Sequence, residues 1–74
     1  MQTLMSESLK TLRINLGWTQ RQLAKSAGVD PAIISRAERG ETITAPKAKQ
    51  IADAFTKAYG YEVRVADIEG LQVE

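Results

Sequence analysis

Arg36 and Arg39 stand three residues apart in the stretch GVDPAIISRAERG, residues 28–40. Arginine is permanently charged and carries a planar fork of N–H donors. That fork fits a carboxylate, a phosphate, or the O6 and N7 edge of guanine. Ala32 and Ile33 precede Arg36 by four and three residues. On a helix these spacings bring all four side chains to one face, with Ile34 and Ala37 opposite them. A face of small, apolar and Arg side chains suits the major groove of DNA. Ala32 and Ile33 can pack on thymine methyls there, and Arg36 can bond guanine through two nitrogens. Ile33 has two further readings: a partly covered residue at the rim of the core, or a contact with a second subunit.

Other chemistries find little support. The 74-residue chain has no Cys and no His, which excludes disulfides, thiol nucleophiles, imidazole acid–base chemistry and the usual zinc sites. No clustered acidic loop offers a carboxylate-only metal site, and no set of Asp, Glu, Lys and Ser converges. The chain therefore reads as a binding protein without a cofactor, not an enzyme. Net charge is only +1, but it is unevenly spread. Residues 1–57 hold nine basic and five acidic side chains, while residues 58–74 hold one basic and four acidic ones. A basic body suits an anion, and an acidic tail of residues 58–74 suits something else. Ordinary surface charge accounts for the same split. No apolar run is long enough to span a membrane or act as a secretory signal, so a cytoplasmic location is expected.

The elements that position this face can be read from their punctuation. The length predicts one domain over residues 1–74, small enough to bury only about 60% of its unfolded surface. Glycines at 17, 28, 40, 60 and 70 each follow a plausible helix, where a left-handed residue commonly ends it. Helix 1 is predicted from about Ser6 to Leu16, with Met5, Leu9, Leu12 and Leu16 on one stripe. Helix 2 opens at Thr19, which forms a capping box with Gln22, while Trp18 and Leu23 are placed as a hydrophobic staple. Helix 3 repeats the device with Asp30 as cap, Pro31 at its first position and Val29 against Ile34. Helix 4 is predicted from Thr44–Pro46 to Tyr59 on a stripe of Ile51, Ala52, Phe55 and Tyr59. A short helix 5 is predicted near Val65 to Glu69 with Ile68 inward, followed by a strand or frayed tail. The expected fold is an all-α bundle of five helices with little or no sheet. Two short, separately capped helices joined by SAGVD make a helix-turn-helix over about residues 19–40.

The segment LGWTQRQLAKSAGV…IISRAERG resembles the Cro/phage-repressor (XRE-like) helix-turn-helix family, and the likeness runs from about Leu9 to Phe55. The resemblance implies a compact lambda-repressor-like domain whose third helix, about residues 31–39, enters the major groove. It implies a transcriptional repressor, often a homodimer on a palindromic operator of double-stranded DNA. It further implies that Gln20 grips a phosphate with its side chain and nearby backbone amides, with Thr19 and Arg21 beside it, that Lys10 reaches another phosphate, and that Arg39 contacts the backbone. A plain polar helix start and a solvated lysine are the alternatives for Gln20 and Lys10. Arg36 matches a base-reading position, and Arg13 and Glu38 match a structural pair bridging helices 1 and 3. Pro31 and Ala32 stand where relatives often carry base-reading Gln or Ser, and ETIT replaces an often basic loop. An antitoxin that represses its own operon, or a coactivator-like module that binds protein, would use the same fold. The surplus apolar residues of the tail, Tyr59, Tyr61, Val63, Val65, Leu71 and Val73, are expected to form a dimer surface or to meet a protein partner; the alternative is that helix 5 and the tail cap the chain's own core.

Overall fold

A computed structural model describes residues 7–74. The elements run β1 (Glu7–Ser8), α1 (Leu9–Asn15), α2 (Gln20–Ala27), α3 (Pro31–Glu38), β2 (Thr42–Ile43), α4 (Ala45–Tyr59), a single 3-10 turn (Val65–Asp67), β3 (Ile68–Glu69) and β4 (Gln72–Val73).

Local chemistry sets the helix boundaries. Ser8 caps α1 by accepting from the Thr11 amide at 3.1 Å. In α2, Thr19 Oγ1 accepts from the Gln22 amide at 3.1 Å and Gln22 Oε1 accepts from the Thr19 amide at 2.7 Å. This reciprocal box satisfies two amides that a helix start otherwise leaves open. Gly28 ends α2 at φ 75°, a left-handed conformation that costs a side chain about 1–2 kcal/mol. The turn lets the Val29 amide donate to the Ala24 carbonyl at 3.0 Å and returns Val29 to the core edge. Asp30 then caps α3 through the Ala32 amide at 2.8 Å, with Pro31 following it. The link from α2 to α3 is thus fixed at both ends.

The core holds Leu9 and Leu12 from α1, Leu23, Ala24 and Ala27 from α2, Ile34 and Ala37 from α3, Ile43 from β2, and Ala48, Ile51, Ala52, Ala54 and Phe55 from α4. The alanines allow α2, α3 and α4 to approach closely. Trp18 and Val29 pack on the edge of this cluster, beside the starts of α2 and α3.

Two expectations need correction. First, the described residues form four α-helices, not five. Residues 65–67 make only one 3-10 turn, closed by Asp67 accepting from the Arg64 amide at 3.0 Å. The chain then extends at Ile68, where it pairs with Glu7 and Ser8 instead of continuing the turn. The sheet is as slight as expected, and the terminal segment takes the strand reading. β3 pairs in parallel with β1, and β4 pairs in parallel with β2. Ile68 is buried by the first ladder's side of the fold. Second, α1 starts at Leu9, not Ser6, because Glu7 and Ser8 are held in the β1–β3 ladder. Ser6 and Met5 lie outside the described residues.

Most of the tail follows the second of its two readings and caps the chain's own core. Val63 is buried, and Tyr59, Val65 and Leu71 pack against the core. Thr56 fixes this return: its hydroxyl donates to the Val63 carbonyl at 3.1 Å and accepts from the Val63 amide at 2.8 Å. Tyr59 donates its hydroxyl to the Leu12 carbonyl at 2.7 Å, tying α4 to α1. Only Tyr61 and Val73 of the six apolar tail residues remain exposed.

Candidate nucleic-acid interface

α3 has an inner and an outer face. Ile34 and Ala37 are buried, whereas Ala32, Arg36 and Arg39 are exposed. Ile33 lies between the two, half-buried against the core edge. The second isoleucine of the Ile33–Ile34 pair therefore shares its surface between the core rim and solvent.

The angle of α3 is held by a polar brace. Arg13 Nε of α1 donates to Glu38 Oε2 of α3 at 2.6 Å, and Arg13 Nη2 donates to Glu38 Oε1 at 3.2 Å. Arg13 Nη1 donates to the Trp18 carbonyl at 2.8 Å, which anchors the same guanidinium to the entry of α2. Gln20 Nε2 donates to Glu38 Oε1 at 3.0 Å. One carboxylate thus joins α1, α2 and α3. The Arg13 and Glu38 side chains are only 11% and 7% exposed, so the pair is mostly shielded from water. Paired two-nitrogen geometry gives such a contact strength and direction.

The remaining residues singled out in the sequence lie along the starts of α2 and α3 and the outside of α1. Thr19 and Gln20 stand at the α2 N-terminus, where backbone amides and the helix dipole attract an anion. Thr19 is occupied with its cap, and the Gln20 side chain points to Glu38. Arg21 is exposed beside them; with Lys25, Val29 and Pro31 it lines a shallow groove between α2 and α3. Lys10 is exposed on α1. Arg39 is exposed at the end of α3, and its Nε donates to Glu41 at 3.1 Å. Arg36 Nε stands 3.4 Å from the same carboxylate. Sequence reading missed both the Gln20–Glu38 bond and the place of Glu41. A signal for the second was present: Glu41 follows Gly40, a residue that can turn the chain back toward α3.

One titration is displaced. Burial, with Tyr61 and Glu7 as weaker contributors, raises the Tyr59 phenol above its usual value. Tyr59 therefore keeps the proton that it donates to Leu12. Among the described residues no group of three or more acidic, His or Cys side chains could hold a metal ion, and no helix is long and apolar enough to cross a membrane.

The deciding observation is a family comparison. A helix-turn-helix family model matches residues 9–60, which spans α1 to the end of α4. The chain belongs to the Cro/repressor-like (XRE-like) helix-turn-helix family. Within that family it is a DNA-binding transcription regulator. No curated protein and no solved structure gives a match. The helix-turn-helix match stops at Gly60, so β1 on one side and the segment carrying β3 and β4 on the other flank the family core.

Proposed function

We propose that this helix-turn-helix protein is a repressor that binds a palindromic operator as a homodimer, with residues 31–39 in the major groove. The observation that carries the reading is the two-sided α3, whose inner face is locked into the core and whose outer face projects Ala32 and Arg36. Arg36 is the base reader, with thymine methyls packed by Ala32 and the outer half of Ile33. Gln20, Thr19, Arg21, Lys10 and Arg39 set the register by phosphate contact; Gln20 would exchange its bond to Glu38 for a phosphate. The work of such a repressor lies where the DNA is, in the cytoplasm of a prokaryotic cell.

A single short recognition helix covers few base pairs, and two copies on half-sites about 34–36 Å apart would supply the missing selectivity. The dimer contact is reduced to Tyr61 and Val73, the two apolar tail residues that the core leaves uncovered. A second reading, in which this tail meets another protein, has a specific observation in its favour. Tyr61 is 61% exposed and its ring lies 5.6 Å from that of Tyr59, so an aromatic surface stands ready among acidic neighbours. An antitoxin would combine both readings.

Selection of bound duplexes from a random pool tests the proposal. A palindromic consensus bound by two chains supports the dimeric repressor. Arg36→Ala is expected to flatten preference at one base pair, worth about 1–3 kcal/mol, whereas Lys10→Ala should weaken all duplexes alike. Binding with no sequence preference, or none that depends on salt, would refute the assignment.

A further inference from the structure

Gly40 has φ 84° and turns the chain back over the end of α3. The turn is closed by the Glu41 amide, which donates to the Arg36 carbonyl at 3.0 Å. The Glu41 carboxylate is thereby set between the two outward arginines. Its Oε2 accepts from Arg39 Nε at 3.1 Å and lies 3.0 Å from Arg39 Nη2; its Oε1 lies 3.4 Å from Arg36 Nε. Arg39 is tied once more, since its Nη1 donates to Ser35 Oγ at 3.2 Å. Every nitrogen of Arg39 has a protein partner. The carboxylate's nearest approach to Arg36 is an ion-pair contact at Nε, and among the described residues neither Arg36 Nη1 nor Nη2 donates a hydrogen bond.

That difference has a chemical consequence. A guanidinium steadied at Nε still presents Nη1 and Nη2, the two donors that can meet guanine O6 and N7 together. A free arginine loses considerable rotamer entropy when it is ordered, and a steadied one loses less. Arg39, by contrast, must leave a carboxylate before it can take a phosphate. Glu41 itself brings negative charge next to the surface that would face DNA. The three side chains are about half exposed, so the cluster adds little to stability, and orientation is what it supplies.

We infer that Glu41 is a positioning residue that sharpens base reading by Arg36 while it withholds Arg39 from the phosphate backbone. The inference rests on the DNA-binding reading of α3. It makes two opposite statements: Glu41 raises sequence preference and lowers sequence-independent affinity. A residue that merely held the loop together would move both in the same direction.

The test compares the wild-type chain with Glu41→Gln, which keeps the side-chain size and removes the charge. Each binds a duplex of unrelated sequence and the duplex selected from a random pool, at about 50 and about 200 mM salt. The variant is expected to bind the unrelated duplex more tightly. Its advantage should be about three- to fourfold larger at the lower salt, because one added phosphate contact steepens the salt slope by about 0.9. Its preference for the selected duplex should fall by at least about threefold, within what one two-nitrogen base contact supplies. In an Arg36→Ala background the same change should leave preference unaltered. Equal salt slopes, or an undiminished preference in Glu41→Gln, would overturn the inference. A wild-type chain that binds neither duplex would overturn the DNA reading instead. The side-chain arrangement then has its own measurement, by nuclear magnetic resonance of the arginine Nε–H groups without DNA. Exchange with solvent should be slower for Arg36 and Arg39 than for the exposed Arg21, and Glu41→Gln should erase the difference; equal exchange in the wild type refutes the arrangement.

Discussion

Glu38→Gln isolates the polar brace beneath α3. The carboxylate accepts three side-chain bonds, from Arg13 Nε, Arg13 Nη2 and Gln20 Nε2. Glutamine has one oxygen to offer in place of two, and its amide N–H groups would face the N–H groups of Arg13. The Arg13 side chain is 11% exposed, so water cannot replace the lost partner fully. Breaking a buried pair on one side costs about 3–5 kcal/mol. Arg13 keeps its bond to the Trp18 carbonyl, which places the expected loss near the lower end, about 3 kcal/mol. In a domain of 60–100 residues each kcal/mol moves the melting point by roughly 4–8 °C, so a fall of about 12–24 °C is expected. Circular dichroism melts, paired with urea titrations, measure it. The urea midpoint should drop with an unchanged slope, since the same surface is exposed on unfolding. A melting point within about 3 °C of wild type would mean that the pair contributes no more than an exposed surface bridge.

Three other substitutions or conditions follow from single contacts. Gly28→Ala should lose about 1–2 kcal/mol in the same melts because of φ 75° alone, since the new Cβ would meet only Gln50 Nε2 at an ordinary 3.6 Å; no loss would mean that the turn relaxes. Thr56→Val removes the two bonds that hold Val63 and leaves its backbone groups unpaired, with about 1–3 kcal/mol expected from urea unfolding; a neutral result would place water at both. Tyr59 supplies a pH dependence. Its folded-state pKa lies above the unfolded value, so the folded chain retains a proton that the unfolded chain releases. Stability from this source is complete below pH about 10 and falls as pH rises through the folded value. Tyr59→Phe should flatten that alkaline decline, and an identical decline in both proteins would assign it elsewhere.

Much of the helical trunk was legible because its signals are local. Thr19 and Gln22, Asp30 and Pro31, and Gly28 each act on neighbours within a turn, and they marked α2 and α3 closely. The two-sidedness of α3 followed from spacing alone. The tail was harder for a physical reason. Two-residue parallel ladders carry no periodicity, and the partners of Ile68 and Val73 are Glu7 and Ile43, far away in sequence. The same remoteness hid the true start of α1. Of the apolar tail residues, Val63 and Leu71 go inward because Thr56 draws the chain back, which spacing along the tail does not encode. Around α3, the Gln20–Glu38 bond joins residues eighteen apart on different helices, so no spacing rule announces it.

The two ladders also divide the molecule in time. The trunk from α1 to α4 is held by contacts of α2 with α3, α2 with α4 and α1 with α3, helices adjacent or one apart in the chain, which form sooner than pairings between the chain's ends. β1 meets β3 only after some sixty residues of chain have been looped, and loop closure of that length is an entropic cost without local reward. The ladders should therefore close last and open first, around a trunk that is already assembled. Their few amides should exchange with solvent through openings that leave the helices intact. α3 leads directly into β2, so each such opening frees the loop that carries Glu41 from its C-terminal anchor. The clasp gives this small regulator a second, faster clock beside global unfolding, set at the edge of the surface proposed to meet DNA.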